Sequence, residues 1–237
     1  MIKLGDLVLT EGRPHVAVSF TDADGRDEVA RARAAGVAIA ELRIDLFARY
    51  SPDYVEAQIR RLAGLPTLGT IRYAAEGGGW QASEAERRAL YEVILPLVDA
   101  IDVELGAKTI LGDLADLAKA RGKVLIVSHH DFAGTPDYDS LAQIAARAVA
   151  AGADIVKIAT HVADDRDIET LGRVLAERPA PNLVVIGMGE NGAPTRLLFP
   201  GQGSLFTFAA KGDRATAPGQ LDYLTTLKLL RGLYPSS

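Results

Sequence analysis

The run ADIVKIAT (153–160) places Lys157 between Ile155-Val156 and Ile158-Ala159, inside a stretch that otherwise has the character of a buried strand. A buried ammonium is costly unless it is paired or loses its proton, so the position calls for a chemical reason. Burial disfavours the charged form of an amine and makes the neutral nucleophile accessible. Such an amine attacks a ketone or aldehyde, and the protonated Schiff base then withdraws electrons from the neighbouring carbon. A proton on that carbon becomes removable, and a leaving group β to the carbonyl can be expelled. Histidine is the side chain best matched to move those protons near neutral pH.

SHHDF (128–132) supplies His129 and His130 one strand-like segment before the lysine. ELRID (41–45) spaces Glu41, Arg43 and Asp45 two apart, which puts them on one face of a strand. TIRY (70–73) carries Arg72 shortly before Glu76 and Gly77, Gly78 and Gly79, and DVEL (102–105) offers Asp102 and Glu104. The three glycines fit either a phosphate-binding loop or a flexible lid. Arg43, Arg72 and Arg196 have the forked geometry that takes a carboxylate, and Gln220 in APGQ (217–220) suits hydroxyls. A small, anionic, hydroxylated ketone answers all of these groups. His15, His129, His130 and His161 lack the helical spacing of a zinc site, and the lysine chemistry calls for no metal or cofactor.

These residues need a frame, and the apolar pattern supplies one. Strand-like runs recur at 15–20, 37–47, 66–73, 99–105, 123–130, 153–160, 182–189 and 204–210. Most are continuous rather than alternating, as in parallel strands covered on both faces. Helix-like stretches with apolar residues three and four apart lie between them, for example 27–36, 83–98 and 138–152. Gly36, Gly122 and Gly152 stand at helix ends, and Ser83 with Glu86 forms a capping box. Eight β-then-α units without a linker predict one (β/α)8 TIM barrel domain over 1–237, of the α/β class. Residues 1–12 read as a short β-hairpin that covers the barrel bottom. In such a barrel catalytic groups stand at the C-terminal ends of the strands, which is where the polar residues above fall.

Composition narrows the function further. A net charge of −5 and a pI near 5.4 give no basic balance for nucleic acid. Arg60-Arg61 and Arg87-Arg88 lie in helical patterns and read as solvated faces. There is no cysteine, hence no disulfide, thiol nucleophile or thiolate metal site. The opening MIKLGDLVLTEG lacks the apolar core of a secretion signal, and no apolar run approaches the roughly 20 residues of a membrane span. A soluble cytoplasmic protein is the expectation.

The ordered series ELRID, TIR with Glu76, DVEL, SHHDF, KIA (157–159), GAPTR (192–196), GSLFTF (203–208) and APGQ resembles type I 3-dehydroquinate dehydratase over about four-fifths of the chain. The resemblance implies dehydration of 3-dehydroquinate to 3-dehydroshikimate in the shikimate pathway. It assigns Lys157 to the Schiff base, His130 to acid and base catalysis and Glu76 to proton handling. His129 falls at a variable position. Glu41, Arg43, Arg72, Arg196, Thr216 and Gln220 match substrate-binding positions, with Arg196 on the carboxylate, while Asp102, Glu104 and Ser19 support the site. The loop AAKGDRATAPGQ matches a lid, and family members are often homodimers. Leu42 stands where an aromatic is common, and Thr195 and Thr216 replace serines. A class I aldolase would also use a strand-six lysine, and a barrel that binds without catalysis would use neither Lys157 nor His130; SHHDF and APGQ favour dehydration.

Overall fold

The computed structural model describes residues 2–212 and 214–235. Met1 of the hairpin, Asp213 of the expected lid, and Ser236 and Ser237 lie outside the described residues. Two short strands open the chain, β1 (Ile2–Leu4) and β2 (Leu7–Leu9), paired antiparallel. Then come β3 (Val16–Phe20), α1 (Arg26–Ala35), β4 (Ile39–Arg43), α2 (Pro52–Arg61), β5 (Thr67–Thr70) and α3 (Glu84–Ile94). The order continues with β6 (Ala100–Glu104), α4 (Leu111–Ala120), β7 (Val124–Asp131), α5 (Tyr138–Ala150), β8 (Ile155–His161) and α6 (Asp165–Glu177). Last are β9 (Leu183–Met188), α7 (Thr195–Leu198), β10 (Thr207–Ala209) and α8 (Tyr223–Leu233).

Strands β3 to β10 form one parallel sheet in the order β10-β3-β4-β5-β6-β7-β8-β9. The two end strands approach each other through Leu183 and Ser204: Leu205 N–H donates to the Leu183 carbonyl at 2.9 Å, and Val185 N–H to Ser204 Oγ at 3.1 Å. The sheet is thus a nearly closed barrel. Its β3, β4, β5, β6 and β9 segments are buried on both faces, as their continuous apolar runs require.

One apolar cluster fills the space between strands and helices, and another fills the barrel interior. The interior cluster draws on Ala17, Ile39, Leu68, Ala100, Ile126, Ile155 and Val184, residues near the starts of seven successive strands, and closes on Leu4 and Leu9 of the hairpin. Both leucines are buried, so β1 and β2 plug the N-terminal end of the barrel. Moving two residues along β4 to β8 replaces apolar groups by polar ones: Ile39 gives way to Glu41, Leu68 to Thr70, Ala100 to Asp102, Ile126 to Ser128 and Ile155 to Lys157. The period of two that keeps a residue facing inward carries the barrel from a sealed floor to a charged rim.

Several boundaries differ from the sequence expectation: the strands expected over 66–73 and 204–210 are confined to Thr67–Thr70 and Thr207–Ala209, and two further differences have a local cause. The second barrel strand stops at Arg43, and Ile44–Leu46 form a single 3-10 turn, so Asp45 is not the third residue of a strand face. Its carboxylate is drawn instead to Arg43 and to Gly79 N–H. The helix expected over 83–98 ends at Ile94; Leu95–Leu97 tighten into a 3-10 turn around Pro96, which has no N–H to continue the helix. The Ser83–Glu86 capping box forms as expected, and Gly36 ends α1 with φ 113°, a left-handed backbone that favours glycine. No described helix is long and apolar enough to cross a membrane.

Candidate active site

The polar rim encloses a cleft of about 490 Å³ at the C-terminal ends of the strands, lined by Glu41, Arg43, Arg72, Glu76, His130, Lys157, Arg196, Thr216 and Gln220 together with apolar side chains. Every residue expected to act on or bind a ligand is therefore brought to one place, while Ser19, Asp102 and Glu104 stand behind it. Lys157 is 5 % exposed. Its Nζ lies 2.9 Å from Asp102 Oδ2 and 4.5 Å from the centroid of the Phe208 ring. The lysine is thus buried against a carboxylate, a partner that the sequence reading of burial alone had not placed beside it.

Asp102 is the hinge of a buried network. Arg72 Nη2 pairs with its Oδ1 at 2.8 Å, and Ser128 Oγ donates to the same oxygen at 2.6 Å. Burial alone would raise the Asp102 carboxyl, but the charges of Arg72 and Lys157 overcome it and hold the group well below the usual carboxylate range. Arg72 Nη1 donates to Ser128 Oγ at 2.7 Å and pairs with Glu104 Oε1 at 3.1 Å. Arg72 was expected to bind substrate; its guanidinium lines the cleft but is already committed to two carboxylates.

His130 sits on β7, beside the strand of Lys157, with its Cα paired to Ala159. Its Nδ1 is 3.0 Å from Glu76 Oε2, and its backbone N–H donates to the same oxygen at 3.1 Å. Because Oε2 already accepts the backbone proton, the simplest arrangement has Nδ1–H donating to it as well, which leaves Nε2 with a free lone pair. Burial, reinforced by the charges of Arg72 and Lys157, pushes the imidazole well below its ordinary range and keeps it neutral. Burial raises the Glu76 carboxyl to about 7, against the opposing pull of Arg72. Near neutrality the histidine is therefore a neutral base, while the carboxyl on the same hydrogen bond is the group that titrates.

On the other side of the cleft, Glu41 accepts from Ser19 Oγ at 2.5 Å and from Thr70 Oγ1 at 3.0 Å. Ser19 also meets Thr216 Oγ1 at 3.0 Å, and Thr216 N–H donates to Gln220 Oε1 at 2.9 Å. Ser19 thus ties the loop after β10 to the barrel, and Lys211 at the root of that loop pairs with Asp24. Arg43 is held bidentately by Asp45, at 2.9 and 2.7 Å. Arg196 differs from these cations. It is 3 % exposed and, among the described residues, donates to the carbonyls of Pro218 (2.9 Å) and Phe208 (3.4 Å), with no described partner at its Nε. Burial without a described acidic partner pulls its guanidinium down to about 10.

Gly78 packs on the Arg72 carbonyl and Gly79 on the Asp45 carbonyl so closely that a Cβ at either would overlap the backbone. Close approach accounts for these two glycines, and Gly77 has a left-handed φ of 78°. The sequence reading also missed Arg87. Placed among solvated residues, it is 1 % exposed and reaches Glu104 Oε2 at 2.7 Å. Its signal was available: Leu90, Tyr91 and Ile94, three, four and seven residues on, are the buried face of α3. The apolar lining from Ile186, Met188, Phe132 and Phe208 was likewise not singled out.

This arrangement has close relatives. A family model described as type I 3-dehydroquinase matches residues 16–236. The chain belongs to the type I 3-dehydroquinase family. It is accordingly an enzyme of the hydro-lyase class. A 3-dehydroquinate dehydratase of Methanosarcina barkeri is 37 % identical over 241 residues, covering 97 % of this chain and 98 % of that one. One from Methanococcoides burtonii is 36 % identical over 225 residues, covering 93 % and 94 %. Among solved structures, the type I 3-dehydroquinate dehydratase from Clostridium difficile with covalent modified comenic acid superposes with TM-score 0.90 at 26 % identity, covering 100 % of this chain and 98 % of that chain. The Geobacillus kaustophilus 3-dehydroquinate dehydratase also gives 0.90, at 29 % identity, covering 100 % and 97 %.

Proposed function

We propose that the protein dehydrates 3-dehydroquinate to 3-dehydroshikimate through a Schiff base on Lys157, with His130 as the acid and base. The observation that carries this reading is the placement of a buried lysine and a neutral, carboxylate-held histidine on neighbouring strands, facing one cleft with a cation that lacks a described acidic partner. The C. difficile relative, solved with covalent modified comenic acid, is in keeping with covalent chemistry on this barrel.

In this mechanism Lys157 first gives up a proton, for which His130 Nε2 is the acceptor on the neighbouring strand. The amine attacks the C3 ketone, His130 returns its proton to the carbinolamine hydroxyl, and loss of that group as water gives the iminium and leaves His130 neutral. His130 removes a proton from C2, and the resulting enamine expels the C1 hydroxyl, which His130 protonates as it leaves as water. A second water hydrolyses the conjugated iminium, replaces the water lost on imine formation and frees the lysine. The net change is the loss of one water. Glu76 holds Nδ1–H throughout and exchanges protons near neutrality. Arg196 takes the C1 carboxylate as its missing partner, and Arg43, Glu41, Thr216 and Gln220 surround the hydroxylated ring. Asp102 keeps Lys157 pointed into the cleft. The reading extends to a single barrel domain, a cytoplasmic location in the shikimate pathway, and a homodimer, with light scattering as the measure of the last.

Borohydride added with 3-dehydroquinate tests the covalent step. A peptide map is expected to carry the reduced ligand on Lys157, and binding without any adduct there would overturn the mechanism. In the same series His130→Ala is expected to lose turnover by about 10²–10⁴-fold. His129→Ala, which does not line the cleft, should stay within about threefold, as for a replacement away from the reacting atoms; equal losses would reverse the assignment.

A further inference from the structure

Arg87 does not line the cleft that holds Lys157, yet its guanidinium ends deep in the barrel wall. From α3 it reaches the Ile71 carbonyl at 3.2 Å, Glu104 Oε2 at 2.7 Å and Glu84 Oε2 at 3.0 Å. Glu104 Oε1 in turn meets Arg72 Nη1 at 3.1 Å and accepts Tyr73 N–H at 2.8 Å, and Arg72 pairs with Asp102, which holds Lys157. A line of alternating charge therefore runs from the helix layer to the reacting amine: Arg87, Glu104, Arg72, Asp102, Lys157.

We propose that Arg87 is a positioning residue for the lysine and histidine: by holding Glu104 it leaves Arg72 to Asp102, and so sets the field in which Lys157, His130 and Glu76 act. The inference rests on the Schiff-base reading above. An apolar side chain of similar length on this face of α3, beside Leu90 and Tyr91, would bury at lower cost than a guanidinium. What arginine supplies is charge at Glu104. Without it Glu104 would be left with Arg72 as its one cation, Arg72 would be drawn away from Asp102, and Asp102 would close harder on the Lys157 ammonium. Arg87, Glu104 and Glu76 also line one common cleft behind the site. The charge of Glu104 already helps to push the Glu76 carboxyl up, so losing Arg87 pushes it further. The carboxylate that fixes the His130 tautomer is then lost at a higher pH.

The test compares Arg87→Met, Arg87→Lys and the double variant Arg87→Met with Glu104→Gln, reading kcat and KM against pH together with borohydride trapping. In Arg87→Met the acid limb of kcat is expected to move up by about one pH unit, a roughly tenfold loss on that limb. KM should stay within about twofold, since the residue touches no ligand. The double variant removes the stranded charge and should bring the limb back. A folded Arg87→Met with an unchanged limb, or a KM that rises with the loss of kcat, would overturn the proposal. Should Arg87→Met fail to fold, Arg87→Lys carries the test, because one ammonium cannot span Glu104 and Glu84: a smaller upward shift supports the proposal and an unshifted profile overturns it. The unsubstituted enzyme is trapped in parallel. No adduct there removes the Schiff-base reading itself, whereas an adduct with unshifted Arg87 variants removes only this inference.

Discussion

The two walls of the cleft handle buried charge in opposite ways. On the wall built from β4 to β8, Arg43 meets Asp45, Arg72 meets Asp102 and Glu104, and Lys157 meets Asp102. On the wall built from β9, β10 and the segments after them, the lining is Ile186, Met188 and Phe208 with the uncharged polar groups Thr216 and Gln220, and the cation among them, Arg196, meets carbonyl oxygens among the described residues. A charge that is paired within the fold is a charge already spent on geometry. One held without a described counterion is poised for a ligand that brings it. The difference assigns the first wall to positioning the reaction and the second to selecting an anion.

Removing a paired group should therefore damage the fold, and Asp102→Ala is the largest such change. It leaves Lys157 without its carboxylate and takes one of two from Arg72, in a place that is fully buried. A loss of about 3–5 kcal/mol in unfolding free energy is expected from urea titration, because breaking a buried pair strands the surviving charge. A loss under about 1 kcal/mol, the range of exposed pairs, would mean that this wall is not the tight network the distances describe.

Removing the unpaired cation should do the reverse. Arg196→Met is expected to leave stability unchanged or raise it by about 1 kcal/mol, since a desolvated guanidinium without a described counterion is a cost to the fold. The same change should weaken binding of the carboxylated substrate by about 2–3 kcal/mol, roughly 30- to 150-fold, read as KM or by calorimetry with a non-reacting carboxylate analogue. If Arg196→Met destabilised the protein as much as Asp102→Ala, the contrast between the walls would collapse.

The contrast also explains what the sequence showed and what it hid. Strand runs and the unusual position of Lys157 were legible because apolar continuity does not depend on distant partners, whereas His130 and Glu76 were picked out by the family resemblance. Asp45 and Arg87 were not, because their places depend on which group claims them. Asp45 leaves the strand pattern for the Arg43 fork and Gly79 N–H. Arg87 and Arg88 are adjacent in sequence but about 100° apart on the helix. Arg88 faces solvent and pairs with Glu92, while Arg87 turns inward to Glu104. Composition treats the two arginines alike; the phase of Leu90, Tyr91 and Ile94 separates them. The same dependence on partners hid the pairing of Lys157, since Asp102 lies 55 residues away in sequence.

Glu76 stands between the two schemes, a half-buried carboxyl that is hydrogen-bonded by His130 but has no ion pair with Lys or Arg among the described residues to hold it charged. Its titration gives the finest measure of the contrast. Burial raises it to about 7 from the ordinary 4.5, so the folded protein binds this proton more tightly than the unfolded chain. Its contribution to stability is then fully present below about 4.5 and is lost as pH rises through about 7. Glu76→Gln does not titrate. The variant should match the parent at the acid end of that window and become progressively more stable than it toward pH 7 and above, levelling off at on the order of 1–3 kcal/mol in urea unfolding. A difference of the opposite sign, with the variant losing stability relative to the parent as pH rises, would show that the carboxyl is stabilised as an anion, which would place Glu76 with Asp102 on the paired wall. A difference that grew as described would keep it apart, as an acidic group of the site whose charge is left for the proton traffic of His130 to decide.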